Sequence, residues 1–436
     1  MMKQHPIHLE IEIMNINTLI KELELNKHDQ KLVNLYLDPH QLDYQRNRYV
    51  NALKKYQSLY DDTDIKVISV SGRSEVSGNH TDHQHGRVLA AALNLDGIAI
   101  VSKSNEVHIV SDDLNVKKIL IDDLEKRDNE EGTTESLVRG VLYKLKEEGY
   151  KIGGFNAYIT SDVLVGSGLS SSAFFEDMIG MIINTLYNDN KIDLVEIAKI
   201  AQYAENVYFN KPCGLMDQCA CIVGGLISID FKDPSTPIVE AIDVDFSSFH
   251  HSLCIIDVKA DHADLTDEYA AVPREMKEIA NYFNKEVLRD VDEEEFYHSI
   301  ASLREECGDR QVLRAYHFFN ENNRVLEIVD ALKNKDFESF KKGIKASGDS
   351  SYKYLQNVYP SSHPYNQAIS IALSMSEHIL KDNGVVRVHG GGFAGTIQAF
   401  VKDDYVDTYK KEIEKIFGKN TCHVLKIRNK GGCVVF

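Results

Sequence analysis

Apolar residues recur along this chain at two periods, and the switch between them marks its elements. Ile65-Lys-Val-Ile-Ser-Val70, Val88-Leu-Ala-Ala-Ala-Leu93, Gly97-Ile-Ala-Ile-Val101 and Val107-His-Ile-Val110 are short β-branched or alternating runs, the signature of strands. Phe155, Ala157, Ile159, Ser161 and Val163 alternate in the same way. Between these runs the spacing becomes helical. Leu137, Val138, Val141, Leu142 and Leu145 trace one helix face that stops at Gly149, and Phe174, Phe175, Met178, Ile179, Ile182 and Leu186 trace another. A third has its buried face at Leu194, Ile197, Ala201, Ala204 and Tyr208. There Asp193 caps, Glu196 completes a capping box and Ile192 staples onto Ile197.

The flanks differ. Residues 1–64 are polar, with one helical stripe at Ile13, Ile16, Leu19 and Ile20 and another at Val50, Leu53 and Tyr56, and form a helical preface. Asp230-Phe-Lys-Asp-Pro-Ser-Thr-Pro237 is rich in proline and charge and marks a domain boundary. Beyond it the pattern predicts a strand over Leu253–Val258, a helix over Asn366–Leu380 and strands over Val385–Val388 and Thr396–Val401. A helix over Tyr405–Phe417 and a strand over His423–Ile427 follow. The expected organisation is a preface (1–64), an α/β domain (65–235) and a second domain (236–436) with helices on one face of an antiparallel sheet. The whole is of α+β class.

Composition narrows the partners. Acidic residues number 67 against 49 basic, a net charge of −18, which argues against nucleic acid or an anionic membrane as partner. Seven cysteines without regular spacing make no disulfide framework. Cys219-Ala-Cys221 is too tight for a zinc pair, and buried free thiols in a reducing compartment are expected. Met1–Glu10 lacks the apolar core of a signal peptide, and no apolar run is long enough to span a bilayer. A cytoplasmic protein, monomeric or weakly homo-oligomeric, is expected.

Two glycine-rich segments carry the chemistry. In Gly166-Ser-Gly-Leu-Ser-Ser-Ser-Ala173 glycines precede a helix start, where close backbone approach, unpaired N–H groups and the helix dipole favour a phosphate. Serine hydroxyls add donors, and no Gly-Lys-Ser/Thr follows, so this is not a Walker A loop. The other is Gly390-Gly-Gly-Phe-Ala-Gly395.

These segments belong to a wider resemblance. Gly72-Arg-Ser-Glu-Val-Ser-Gly-Asn-His-Thr-Asp82 resembles the galactokinase signature Gly-Arg-Val-Asn-Leu-Ile-Gly-Glu-His-Thr-Asp. Val165–Ala173 resembles the phosphate loop of the GHMP small-molecule kinases, Cys213-Gly-Leu-Met-Asp-Gln218 the family's Cys-Gly-Ile-Met-Asp-Gln, and Val388–Gly395 its third, glycine-rich motif. Four motifs in family order identify the chain as a galactokinase-like GHMP kinase. The resemblance implies an N-terminal α/β domain with a left-handed βαβ unit, a ferredoxin-like C-terminal domain and an active site in the cleft between them.

It also implies roles. Asp217 would stand beside the sugar C1 hydroxyl, with Arg73 against it and the γ-phosphate, where paired charges serve phosphoryl transfer. Gly166, Ser167, Gly168, Leu169, Ser170, Ser171, Ser172 and Ala173 would bind ATP, and Ser172 and Glu205 a Mg²⁺ ion. Glu176 reads as a charge favoured near a helix N-terminus. Asn79, His80, Asp82, Gly214 and Tyr269 would address the sugar. His80, His83 and His85 also spell His-x-x-His-x-His, a spacing open to a metal, but the sugar motif already accounts for that segment.

The implied activity is ATP- and Mg²⁺-dependent phosphorylation of the anomeric hydroxyl of galactose. Galactokinases usually carry Glu where this chain has Asn79, and His80-Thr-Asp-His-Gln84 is similar to a string in plant galacturonate kinases. An amide removes a barrier to a C6 carboxylate. Galacturonate is therefore the alternative, and galactose is preferred because no Arg or Lys partner for a carboxylate is identifiable. A non-catalytic sugar sensor on the same fold is a third reading, opposed by the unbroken serine loop and by the presence of both Asp217 and Arg73.

Overall fold

The computed structural model describes residues 14–111, 115–163, 171–211, 213–260 and 265–436. The preface is a two-residue strand β1 (Met14–Asn15) and helices α1 (Ile16–Glu24), α2 (Asp29–Tyr36) and α3 (Leu42–Leu59). Asn15 caps α1 through its side chain.

Next come β2 (Asp64–Ser77), β3 (Arg87–Ser104), β4 (Val107–Ser111), β5 (Asn115–Ile119), α4 (Thr134–Glu147) and β6 (Gly154–Ser161). They are followed by α5 (Ser171–Tyr187), α6 (Leu194–Tyr203), α7 (Met216–Val223), β7 (Leu226–Asp230) and β8 (Ile238–Ile242). The strands form one sheet in which β1-β2-β3-β6-β4-β5 are neighbours and β7 joins β3 to β8. Its one parallel pairing among the described strands, β4 with β6, is bridged by β5 and α4.

Side-chain alternation decides which layer covers which face. In β2, Ile65 and Val67 face the preface while Ile68 and Val70 face the helices that follow. In β3, Ile98 and Ile100 face the preface, Ala99 and Val101 the helices. Two covered faces explain why these strands read as nearly continuous apolar runs.

The second sheet is built from β9 (His251–Asp257), β10 (Gly384–Val388), β11 (Thr396–Lys402) and β12 (Cys422–Leu425). Their order is β10-β11-β9-β12, all antiparallel. Helices α13 (Ala368–Leu380) and α14 (Val406–Phe417) complete a β-α-β-β-α-β ferredoxin-like unit. Between β9 and α13 lie α8 (Thr266–Tyr282), α9 (Glu293–His298), α10 (Ile300–Glu306), α11 (Asp309–Lys333) and α12 (Phe337–Ser350).

Two expectations about the division need correction. The Asp230–Pro237 segment is a hairpin turn, not a domain boundary, because β8 pairs with β7 and keeps residues 238–242 in the first sheet. The chain also returns at its far end: β13 (Cys433–Val434) pairs with β2, and Ile427 bridges Leu93. That return closes a buried ionic knot in which Asp96 takes Arg428 at 2.9 Å and Tyr36 at 2.8 Å, with Ser69 and Arg48 also on its carboxylate. Core packing runs without a break from α5 and α7 across β2 and β3 to Val325, Ile328 and Phe340 of α11 and α12.

Candidate active site

Strand β2 changes register between Ser71 and Arg73, skipping from Asp96 to Ala92 on β3. Such a bulge re-aims side chains, and here Arg73 meets Asp217 in the first turn of α7. The contact is a two-pronged fork, Nε to Oδ1 and Nη2 to Oδ2, each 2.8 Å. Arg73 is buried; the Asp217 side chain keeps 34% of its exposure. Burial alone would lower the guanidinium's pKa, and the charge and hydrogen bonds of Asp217 together with the charges of Cys221 and Glu75 outweigh it, so the net shift is upward. Ser71 Oγ donates to the Cys221 carbonyl at 2.8 Å, fixing the end of α7 to the same strand.

Behind the fork lies a group of acids. Glu205 sits in a π-helical turn (Ala204–Tyr208) that prolongs α6, and π turns concentrate at functional positions. Its Oε1 accepts from Lys211 Nζ at 2.9 Å and Ser172 Oγ at 3.4 Å. Gln218, one residue after Asp217, donates from Nε2 to Glu205 at 3.0 Å and to Glu176 at 3.3 Å. Glu176, read from the sequence as a charge favoured near a helix N-terminus, is fully buried. Burial and then the Glu205 charge push its pKa up to about 9. Glu176 Oε1, Gln218 Oε1 and both Asp177 oxygens lack hydrogen-bond partners among the described residues.

The residues expected to address the sugar divide into two groups. Asp82, partly exposed, faces Gly214, where an added Cβ would come within 2.8 Å of Oδ2. Glycine at 214 thus leaves room for that carboxylate, whose pKa burial raises. His80 has a left-handed backbone (φ 56°) and its Nε2–H donates to the Gly391 carbonyl at 3.0 Å. Tyr269, half-buried on α8, donates to the Gly392 carbonyl at 2.9 Å and meets the Phe393 ring edge-on. These four sit at the glycine turn and the start of α7.

Asn79 also touches the glycine turn, through the Gly390 carbonyl. It has no exposed surface, and its amide is bonded entirely to protein groups. The Nε2 of partly buried His83 is enclosed, and burial and His80 push its pKa down to about 3. Among the described residues no three His, Cys, Asp or Glu side chains are grouped to hold a metal.

Gly166, Ser167, Gly168, Leu169 and Ser170 lie outside the described residues. Ser171 opens α5, and Ser172 and Ala173 follow in its first turn, with Ser172 directed at Glu205. The seven cysteines are free thiols. No helix among the described residues is long and apolar enough to cross a membrane.

Sequence reasoning missed several residues here. Asn357, Arg387, Gln398 and His389 are buried; Asn357 holds Asn79, and the other three tie β2 to the second domain. Gln398 donates to Ser74 Oγ at 2.6 Å, His389 meets Ser74 at 3.0 Å, and Arg387 pairs with Glu75 at 2.9 Å. His389, adjoining the glycine motif, was the nearest to a signal; the rest carried none.

A mixed sheet and a ferredoxin-like unit meeting over an Arg–Asp fork define a GHMP small-molecule kinase. The family model described as GHMP kinases N terminal domain matches residues 136–225, and the galactokinase galactose-binding signature matches residues 54–103. The chain is 33% identical over 350 residues to the galactokinase of Pyrococcus furiosus, covering 78% of this chain and 90% of that one. It is 30% identical over 386 residues to that of Actinobacillus pleuropneumoniae serotype 5b, covering 85% and 94%. The crystal structure of Lactococcus lactis galactokinase complexed with galactose superimposes with a TM-score of 0.73 at 23% identity, covering 88% of this chain and 99% of its own. A mevalonate kinase structure shares the fold at a TM-score of 0.58.

The chain belongs to the galactokinase family. It is a phosphotransferase that uses ATP to phosphorylate a sugar hydroxyl.

Proposed function

We propose that the sugar is galactose and the product galactose 1-phosphate. The observation that carries this reading is the Arg73–Asp217 fork at the start of α7, with Asp82 and Gly214 beside it. Asp217 accepts a hydrogen bond from the C1 hydroxyl and aims its oxygen at the γ-phosphorus. As the new P–O bond forms and the bond to the bridging oxygen of ADP breaks, the hydroxyl proton passes to Asp217. A carboxylate held by two guanidinium bonds is a weak base, which suits a dissociative transition state where proton transfer comes late. Arg73 keeps that carboxylate ionised and offsets charge on the moving phosphoryl group.

The donors around Glu205 fit Mg²⁺. Ser172 Oγ, the Glu205 carboxylate and the unpartnered oxygens of Glu176 and Gln218 are hard oxygen ligands. Burial first, and then the Glu205 charge, lift Glu176, and a cation would offset both. When bound, Mg²⁺ supplies charge neutralisation on the phosphate oxygens. Lys211 and Gln218 hold Glu205 in place meanwhile. Nucleotide phosphates bind at Gly166–Ser172, and His80, Asp82, Gly214 and Tyr269 form the sugar side.

A C6 carboxylate received by Asn79 has no support in this geometry, because the amide is already bonded. The test is ATP consumption over galactose, galacturonate and related sugars, with the phosphorylated carbon located by NMR. Galactose with the highest kcat/KM and phosphate on C1 is expected. Preference for the uronate, or phosphate on another carbon, overturns the assignment.

A further inference from the structure

Asn79 uses every hydrogen-bonding position of its amide inside the protein. Nδ2 donates to Glu75 Oε1 at 3.1 Å and to the Gly390 carbonyl at 2.7 Å. Oδ1 accepts from Ser351 Oγ at 3.2 Å and Asn357 Nδ2 at 2.8 Å. Two N–H groups and two lone pairs are the full capacity of this side chain. Its backbone carbonyl accepts from His317 Nε2 at 2.9 Å.

Each partner passes the connection on. Arg387 of β10 donates to Glu75 Oε1 at 2.9 Å and to the Val76 carbonyl at 2.6 Å. Asn357 donates to the Gly391 carbonyl at 3.2 Å, and its own carbonyl accepts the Phe393 N–H at 2.5 Å. The turn so gripped is a demanding one. Phe393 is left-handed (φ 59°), and a Cβ at Gly392 would stand 2.1 Å from the Asn357 carbonyl oxygen. Such conformations persist only where surrounding contacts over-determine them.

The galactokinase signature places an amide and then an acid four residues apart; here Glu75 and Asn79 reverse that order and bond to each other. A carboxylate at 79 would face both the Glu75 carboxylate and the Gly390 carbonyl, acceptor against acceptor.

We propose that Asn79 is a positioning residue. With Glu75 and Asn357 it forms a buried clamp that fixes the glycine turn, and through it His80 and Tyr269, against the β2 wall of the cleft. The reversed acid–amide order holds the negative charge behind the pocket, on Arg387, instead of at the sugar. This rests on the reading of the site given above.

Three variants test it: Asn79→Asp, Asn79→Ala and the double variant Glu75→Gln/Asn79→Asp. Asn79→Asp keeps the shape but turns two donors into acceptors, and two adjoining carboxyls then share a proton. Losing these bonds should lower kcat/KM about 30-fold at pH 8, the equivalent of about 2 kcal/mol. Part of the loss should be recovered toward pH 6, as a protonated carboxyl at 79 again donates to Glu75. Charged and titratable groups facing the clamp are Glu75, His80 and Asp82 from the signature, His317, Glu321 and Arg324 from α11, and Arg387 from β10. All are unchanged in Asn79→Asp, so the pH profile of wild type subtracts their effect. The double variant restores an amide–acid pair and should remove the acid dependence.

Asn79→Ala should lower kcat as well as raise KM. If it raises only the sugar KM, at unchanged kcat and melting temperature, Asn79 is a sugar ligand and the proposal is overturned. A wild-type pH profile for Asn79→Asp overturns it too. Should Asn79→Asp fail to fold, the double variant decides: recovery of fold and activity supports the clamp, and equal failure refutes it. If the wild type phosphorylates no sugar, the functional reading falls, while melting curves of the same variants still report the clamp.

Discussion

Replacing Asp177 with asparagine should stabilise this protein by an amount that grows with pH. Asp177 has no exposed surface, and neither carboxyl oxygen has a partner among the described residues. Burial, then the charges of Glu176, Asp217 and Glu205, pushes its pKa well above the ordinary 3.8. The fold therefore favours the protonated acid more than the unfolded chain does. Each pKa unit of that preference costs about 1.4 kcal/mol once the pH is above both values. Asparagine has nearly the same shape and no such cost, but brings N–H donors worth a penalty of about 1 kcal/mol if unpaired. A net gain is expected wherever the first cost exceeds the second. The sign follows from proton binding. The folded wild type keeps a proton that the unfolded chain releases, so this contribution is intact below pH 3.8 and is lost as pH rises toward the folded value. Glu176, pushed up to about 9, adds a slope of the same sign to both proteins and largely cancels in their difference. Urea unfolding at pH 5, 6, 7 and 8 measures that difference. It should widen as pH rises, by at most about 1.4 kcal/mol per pH unit. A constant difference, or asparagine destabilising at every pH, refutes the neutral-acid account.

Asp217→Asn should lower kcat by a factor on the order of 10² to 10⁴ with little change in melting temperature, because a partly exposed carboxylate is lost and not a core group; near-normal turnover removes Asp217 from the mechanism. Gly214→Ala should raise the sugar KM about tenfold and leave the ATP KM unchanged, since the new methyl displaces the Asp82 carboxylate; equal effects on both substrates contradict that placement. Glu205→Gln should raise the Mg²⁺ concentration for half-maximal activity by about 10- to 100-fold, and an unaltered Mg²⁺ titration excludes Glu205 as a ligand.

How much of this was legible in the chain depended on the range of the interaction. Asp193 accepts from the N–H groups of Val195 and Glu196, as the capping pattern requires, because capping is settled within one turn. Strand alternation gave β2, β3 and β6, and the glycine motif gave the turn between β10 and β11. What stayed hidden was set at long range. Arg387 meets Glu75 across 312 positions and Asn357 meets Asn79 across 278, with no local pattern at either end. For Asn79 the motif identified the position, while the contacts of its side chain come from Glu75, the Gly390 turn, Ser351 and Asn357. The prolines after Asp230 were read as a boundary because turn chemistry looks the same in a hairpin as in a linker. Glu176 was read from its place near a helix start, and the neighbours that enclose it come from α6 and α7.

The return of the chain at Arg428 has a consequence for how the protein is made. Asp96 emerges from the ribosome well before the arginine that neutralises it on one side, which lies 332 residues further along the chain. Until then Arg48 is the one guanidinium on that carboxylate, beside the hydroxyls of Tyr36 and Ser69, and the edge of β2 that takes β13 stands open. Domains fold as units during synthesis and unpaired strand edges are sticky, so the nascent first domain stays an unfinished sheet until residues 428–434 follow. In the folded protein β13 covers that stretch of β2.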